Sequence, residues 1–130
     1  MLFDASSIYL LAKEGRIEIL IGKSTLSLAI YELGNAILKD IRIFKSISPE
    51  EGMKALSFLR KILEKMEVHA IGRNEVQILK FAGEQGLTFY DAAYLQMALE
   101  LEAPLVTEDE KLKRVTSALA LTEVYSAHEL

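Results

Sequence analysis

Strand-like runs and helix-like segments take turns along this chain. "MLF", "STLSL", "EVHAI", "APLVT" and "LALTEV" read as short strands. Between them lie segments with apolar residues at helical spacing. "SSIYLLAKEG" has Ser6 near its start and Gly15 at its end. "RIEILIG" adds a short helical turn, and "AIYELGNAILKD" follows the second strand. "SISPEEGMKALSFLRKILEKM" is the plainest helix: Ser48 caps it, Pro49 takes its first position, and Glu50 and Glu51 favour its positive end. "RNEVQILKFAGEQG" closes on Gly86, "TFYDAAYLQMALELE" starts from Thr88, and "EDEKLKRV" is short.

Short connections between alternating elements predict a parallel sheet with helices on both faces. With 130 residues and no linker, repeat or low-complexity stretch, residues 1–130 are expected to form a single domain. The apolar fraction of 51% and charged fraction of 26% are ordinary for a soluble domain. There is no cysteine, which excludes disulfides and thiolate metal sites. His69 and His128 have no second ligand at metal spacing, so a zinc site is not expected. The first residues lack a basic start and meet an acid at Asp4, and no apolar run nears the ~18 residues of a membrane span. A cytoplasmic protein with no membrane partner is expected. The net charge of -4 lowers the expectation of a nucleic-acid partner without closing it, because bulk charge averages over faces.

Four of the 19 acidic residues are aspartates. Asp4 and Asp109 fall at the carboxyl ends of strand-like runs, where ligands bind in such sheets. Asp91 lies in the first turn of a helix. Glu32 stands three positions before Asn35, so the two share a helix face just after a strand. Asp40, in "LKDIRIFK", reads as solvent-facing.

Each acid also has a purely structural explanation. Asp4 is a good helix cap. Asp91 stands three residues after Thr88, as in a capping box. Asp109 sits where a helix dipole favours an anion. Glu32, Asn35 and Lys39 suit the wet stripe of an amphipathic helix. If the strands are neighbours, however, four carboxylates converge. Such a group needs compensation, and a hard divalent cation with oxygen ligands supplies it. An ion of that kind keeps water available for activation and leaves room for a phosphate oxygen.

The pieces "FDAS", "YELGNA", "TFYDAAYLQMA" and "LVTEDEKL", in this order, resemble the PIN-domain ribonucleases, especially the small VapC-like toxins of toxin–antitoxin pairs. They are spread from Asp4 to about Leu112. The resemblance implies a single α/β/α sandwich around a central parallel sheet of about five strands. It implies Mg²⁺- or Mn²⁺-dependent hydrolysis of RNA, with Asp4, Glu32, Asp91 and Asp109 as catalytic metal ligands. Ser6, Asn35 and Thr107 match the supporting polar positions. Glu108 and Glu110 flank the fourth acid, and Glu110, three residues after Thr107, is also placed to complete a cap. A homodimer and a small antitoxin partner come with the same resemblance.

RNA approaching an acidic pocket needs cations along its path. Lys39, Arg42 and Lys45 form one basic stretch, and Lys111, Lys113 and Arg114 another. Either is equally read as solvated surface. No aromatic-interleaved basic patch is visible in the sequence. His69 lies in a strand-like run and reads as structural rather than as a general base. Two other readings compete. A catalytically silent PIN-like module that binds a protein would keep the fold, and the complete set of acids argues against it. A phosphoacceptor receiver-like domain shares the alternation but carries an acidic pair after its first strand. Here Ala5 and Ser6 follow Asp4.

Overall fold

The computed structural model describes residues 1–130. Its elements, in chain order, are β1 (Leu2–Phe3), α1 (Ala5–Lys13), a 3-10 turn (Ile17–Ile19), β2 (Ser24–Leu26), α2 (Ala29–Arg42), α3 (Pro49–Glu64), β3 (Glu67–His69), α4 (Glu75–Gln85), α5 (Phe89–Glu100), β4 (Leu105–Val106), α6 (Glu110–Ala118), β5 (Val124–Tyr125) and a last 3-10 turn (Ala127–Glu129). The five strands form one sheet in the order β3-β2-β1-β4-β5. Every pairing is parallel. This is the α/β sandwich with a five-stranded parallel sheet that the sequence predicts.

Strand alternation divides the core in two. Neighbouring strand residues point to opposite faces. Phe3 and Val106 join Ile8 and Leu11 of α1, Leu33 and Ile37 of α2, and Leu59 and Ile62 of α3. Leu2, Leu26 and Leu105 join Ile78 of α4, six residues of α5 and Leu112 of α6. A fully buried leucine or isoleucine contributes about 1.5–3 kcal/mol, so each layer is held by many such terms. Ala92, Ala93 and Ala98 are buried in α5, where small side chains let the helix lie close to the sheet.

The chain runs outward from β1 to β2 and β3, then returns to place β4 on the other side of β1. The connections after β1 and β4 therefore diverge to opposite faces of the sheet. A crevice opens at such a switch point, beyond the carboxyl ends of the strands. Asp4 immediately follows β1, and Thr107 to Asp109 follow β4.

Three readings change. "LALTEV" is mostly turn rather than strand. α6 continues to Ala118 and closes through Ala120 at φ 50°, where Leu121 N–H bonds back to Thr116 C=O. Only Val124 and Tyr125 pair in the sheet. Asp40 is not solvent-facing. It accepts the Tyr9 hydroxyl and pairs with Lys13 at 3.3 Å, because Tyr9 and Lys13 lie one turn apart on the side of α1 that meets α2. The Tyr9 hydrogen bond holds its carboxyl below the usual range. Lys113 is also turned inward, as described below.

Candidate active site

Asp4 does two things at once. Its Oδ1 accepts Ser7 N–H at 2.9 Å, which caps α1, and Ser6 Oγ–H at 2.7 Å. Its Oδ2 accepts the hydroxyl of Thr107 from the end of β4. The residue is 4% exposed. All its hydrogen-bond donors are neutral, so they orient the carboxylate without cancelling its charge. Burial pushes its pKa upward against the lowering effect of those bonds.

Ser6 and Thr107 stitch the two loops together. Ser6 Oγ accepts Glu108 N–H at 3.1 Å while donating to Asp4. Thr107 Oγ1 accepts Asp109 N–H at 3.0 Å while donating to Asp4. Ser7 Oγ lies 3.0 Å from both Asp4 C=O and Val106 C=O, its donor directed between the two strand ends. This short-side-chain lattice fixes the loop after β1 against the loop after β4.

The other acids come from helices. Glu32, in the first turn of α2, is half-buried and accepts Tyr94 Oη–H at 2.8 Å. Its pKa is raised to about 6, by burial first and then by the charges of Asp4 and Asp91. Asp91 lies in the first turn of α5. Its N–H is capped by Thr88 Oγ1 at 3.0 Å. The reciprocal side-chain bond of a capping box forms between Ser48 and Glu51 in α3; in α5 the cap is Thr88's alone. Burial, then Asp109, then Asp4 push the Asp91 carboxyl to about 6. Asp109 is exposed and caps α6 through Oδ1, which accepts Leu112 N–H at 2.8 Å.

The four carboxylates thus repel one another in sequence, Glu32 with Asp4, Asp4 with Asp91, and Asp91 with Asp109. None pairs with a basic side chain. As folded, no three His, Asp or Glu side chains meet at the spacing of one ion's ligands. Asp4 has both oxygens in hydrogen bonds, and Asp109 has one in its cap. In charge and donor chemistry the set still fits a hard divalent cation: all donors are oxygen, and mutual repulsion is left without a protein counter-charge.

A cleft of about 900 Å³ opens beside the acids, between α1 and α2. Ser6, Glu32, Asn35, Lys39, Tyr90 and Glu108 are among the residues that line it. Asn35 is exposed on its wall. Tyr31 and Tyr90, both well exposed, line this cleft together with Lys39. Arg42 and Lys45 are exposed beyond it, at and after the end of α2. Lys111 and Arg114 are exposed on α6. Lys113 is not free: its Nζ donates to Ser126 Oγ at 2.6 Å and pairs with Glu110 at 3.1 Å. Ser126 is buried just past β5, so the long lysine side chain turns inward to reach it.

Sequence reasoning missed Tyr94 and the groove-facing side of Glu108. The signal for Tyr94 was present, since it stands three residues after Asp91 on one helix face. Glu108 accepts Ala127 N–H at 2.6 Å, a contact over 19 residues that only folding reveals.

No family model matches the chain. It is 35% identical over 113 residues to Exonuclease VapC9 of Pyrobaculum aerophilum, covering 85% of this chain and 81% of that protein. It is 30% identical over 95 residues to Ribonuclease VapC3 of the same organism, covering 73% and 72%. Among solved structures, PAE2754 from Pyrobaculum aerophilum superposes with a TM-score of 0.76 at 33% identity, over 98% of this chain and 90% of that one. VapBC2 from Rickettsia felis, bound to a DNA fragment from their promoter, shares the fold with a TM-score of 0.63 at 14% identity, over 96% of each chain.

Proposed function

The chain belongs to the VapC family of PIN-domain proteins, and from that premise we propose that it is a divalent-metal-dependent endoribonuclease, the toxin of a toxin–antitoxin pair. One observation carries the reading: four carboxylates gather at the switch point of the sheet, repel one another and have no basic partner. A purely structural set of caps would have no reason to concentrate its charge there.

In this reading Asp4, Glu32, Asp91 and Asp109 hold Mg²⁺ or Mn²⁺, with Ser6, Asn35 and Thr107 in support. Bound there, such an ion would supply Lewis-acid polarisation of a phosphodiester oxygen and a more acidic water. The chain's own part is to pre-orient the donors. Thr107 and Ser6 keep Asp4 fixed, and Tyr94 holds Glu32. Lys39, Arg42 and Lys45 from α2 and the turn after it, with Lys111 and Arg114 from α6, offset the acids along the RNA's approach. A small antitoxin protein, a homodimer and a cytoplasmic setting belong to the same proposal. No helix is long and apolar enough to cross a membrane.

The test is cleavage of a single-stranded RNA with both ends blocked, in EDTA and in Mg²⁺ or Mn²⁺. Internal cleavage is expected only with metal, and Asp4→Asn should abolish it by removing one ligand charge at constant size. Cleavage that persists in EDTA would remove the metal from the mechanism. Activity on free ends alone would make the protein an exonuclease, as one relative is named. No cleavage under any condition would favour a silent binding module.

A further inference from the structure

Tyr94 is 1% exposed and is among the largest fully buried side chains of the protein. Its ring packs in the α4–α5–α6 layer with Leu2, Leu26 and Leu105. Its hydroxyl leaves that layer and donates to Glu32 Oε1 at 2.8 Å. Glu32 stands on α2, whose buried residues Ala29, Leu33 and Ile37 belong to the opposite layer. One hydrogen bond therefore joins the two helical layers at the carboxyl edge of the sheet.

The acids differ in how they are held. Asp4 has three donors, and Asp109 is fixed by its own helix. Glu32 has only the Tyr94 hydroxyl. Its Oε2 has no hydrogen-bond partner in the protein, and Glu32 lines the cleft. A glutamate has three side-chain torsions, so a single buried donor decides where this carboxylate stands. A lysine or arginine would hold it equally well but would cancel its charge. A phenol holds it and leaves the charge for another partner. Tyr94 also shares a face of α5 with Asp91, one turn away, so the same helix supplies one acid and places another.

We propose that Tyr94 is a positioning residue for the reaction: its ring is anchored in the core, and its hydroxyl aims the Glu32 carboxylate at the site of a divalent cation without neutralising it. The proposal rests on the metal-dependent reading of the site. It separates the two halves of one side chain, with the ring serving the fold and the hydroxyl serving the site.

The experiment compares the parent, Tyr94→Phe and Glu32→Gln. Each is melted in EDTA and across a Mn²⁺ titration, and RNA cleavage is followed over the same Mn²⁺ range. Tyr94→Phe should melt close to the parent in EDTA, because the ring remains. Its Mn²⁺ half-saturation, read from the rise in melting temperature, should increase roughly tenfold or more, as for other partners of metal ligands. Cleavage should recover largely at high Mn²⁺. Glu32→Gln should lose most of the Mn²⁺ response, and adding Tyr94→Phe to it should change nothing further, since the two act through one carboxylate. Unchanged half-saturation in Tyr94→Phe, with a responsive parent, overturns the proposal and leaves the metal site standing. A parent that shows no Mn²⁺ response overturns the metal reading and this inference with it. Should Tyr94→Phe not fold, Glu32→Asp withdraws the carboxylate from the hydroxyl by one methylene. It should raise the half-saturation likewise, and an unchanged value overturns the proposal.

Discussion

Single residues at this site serve the fold and the candidate chemistry together. Asp4 is at once the cap of α1 and the acid at the head of β1, so neither role displaces the other. Asp91 is held through its backbone N–H, which Thr88 Oγ1 accepts, and the Thr88 hydroxyl lowers its carboxyl pKa less than burial and the neighbouring acids raise it. That difference predicts a pH effect with a definite sign. Glu32 and Asp91 each have a folded pKa of about 6, above their ordinary values. A carboxyl with a raised folded pKa holds its proton more tightly in the folded state. Its contribution is fully present below the ordinary value and is lost as pH rises through about 6. In EDTA, the parent should therefore lose stability between about pH 5 and about pH 7. Asp91→Asn should lose less over the same interval, because it cannot ionise. Paired thermal melts at the two pH values check this, and equal losses in both proteins would show that neither burial nor the neighbouring acids raise the Asp91 carboxyl pKa. Saturating Mn²⁺ should reduce the parent's loss, because a cation favours the ionised carboxylates.

At the level of elements, the features most legible in the sequence are those governed by local chemistry. Ser48, Pro49 and Glu51 form the start of α3 as their spacing predicts, and the capping box closes with Ser48 Oγ 3.1 Å from Glu51 N and Glu51 Oε1 3.0 Å from Ser48 N. Ser48→Ala should cost about 1 kcal/mol, read from a denaturation midpoint. The cost should be the same in EDTA and in Mn²⁺, since α3 contributes no residue to the acids or the cleft. A metal-dependent cost would mean that α3 communicates with the site. Local chemistry is less informative at the other end of the chain. The run after α6 has the spacing of a strand, yet Ala120 turns left-handed and the helix closes through it. A lone non-glycine residue in that conformation carries no clear local signature. The extent of β5 is set by its neighbour β4, through Leu105–Val124 and Val106–Tyr125.

On the scale of the molecule, the net charge of -4 hides an uneven distribution. Lys111 and Arg114 are exposed on the helix that Asp109 caps, while Lys113 is tied to Ser126. Neutralising Lys111 and Arg114 together should weaken RNA binding and flatten its salt dependence by about 0.7 for each phosphate that a cation no longer neutralises. Lys113→Gln should act mainly on stability, because it removes the bond to Ser126. An unchanged slope in the double variant would make Lys111 and Arg114 ordinary surface. The sequence by itself determined the layered α/β class, most helix starts and the place of Asp4 and Asp109 just past strand ends. Those features depend on residue spacing, caps and short-range order, which the chain carries locally. Strand order, the partition of the helices into two layers and the Tyr94–Glu32 bond were decided only by tertiary structure. So were the inward turn of Lys113 and the cleft that adds Tyr90 of α5 to Tyr31 and Lys39 of α2. Each depends on residues far apart in sequence, such as Tyr94 and Glu32 at a separation of 62. No local pattern encodes such a meeting, because it arises when apolar surfaces are buried against one another and the polar groups left at the sheet's edge must find partners.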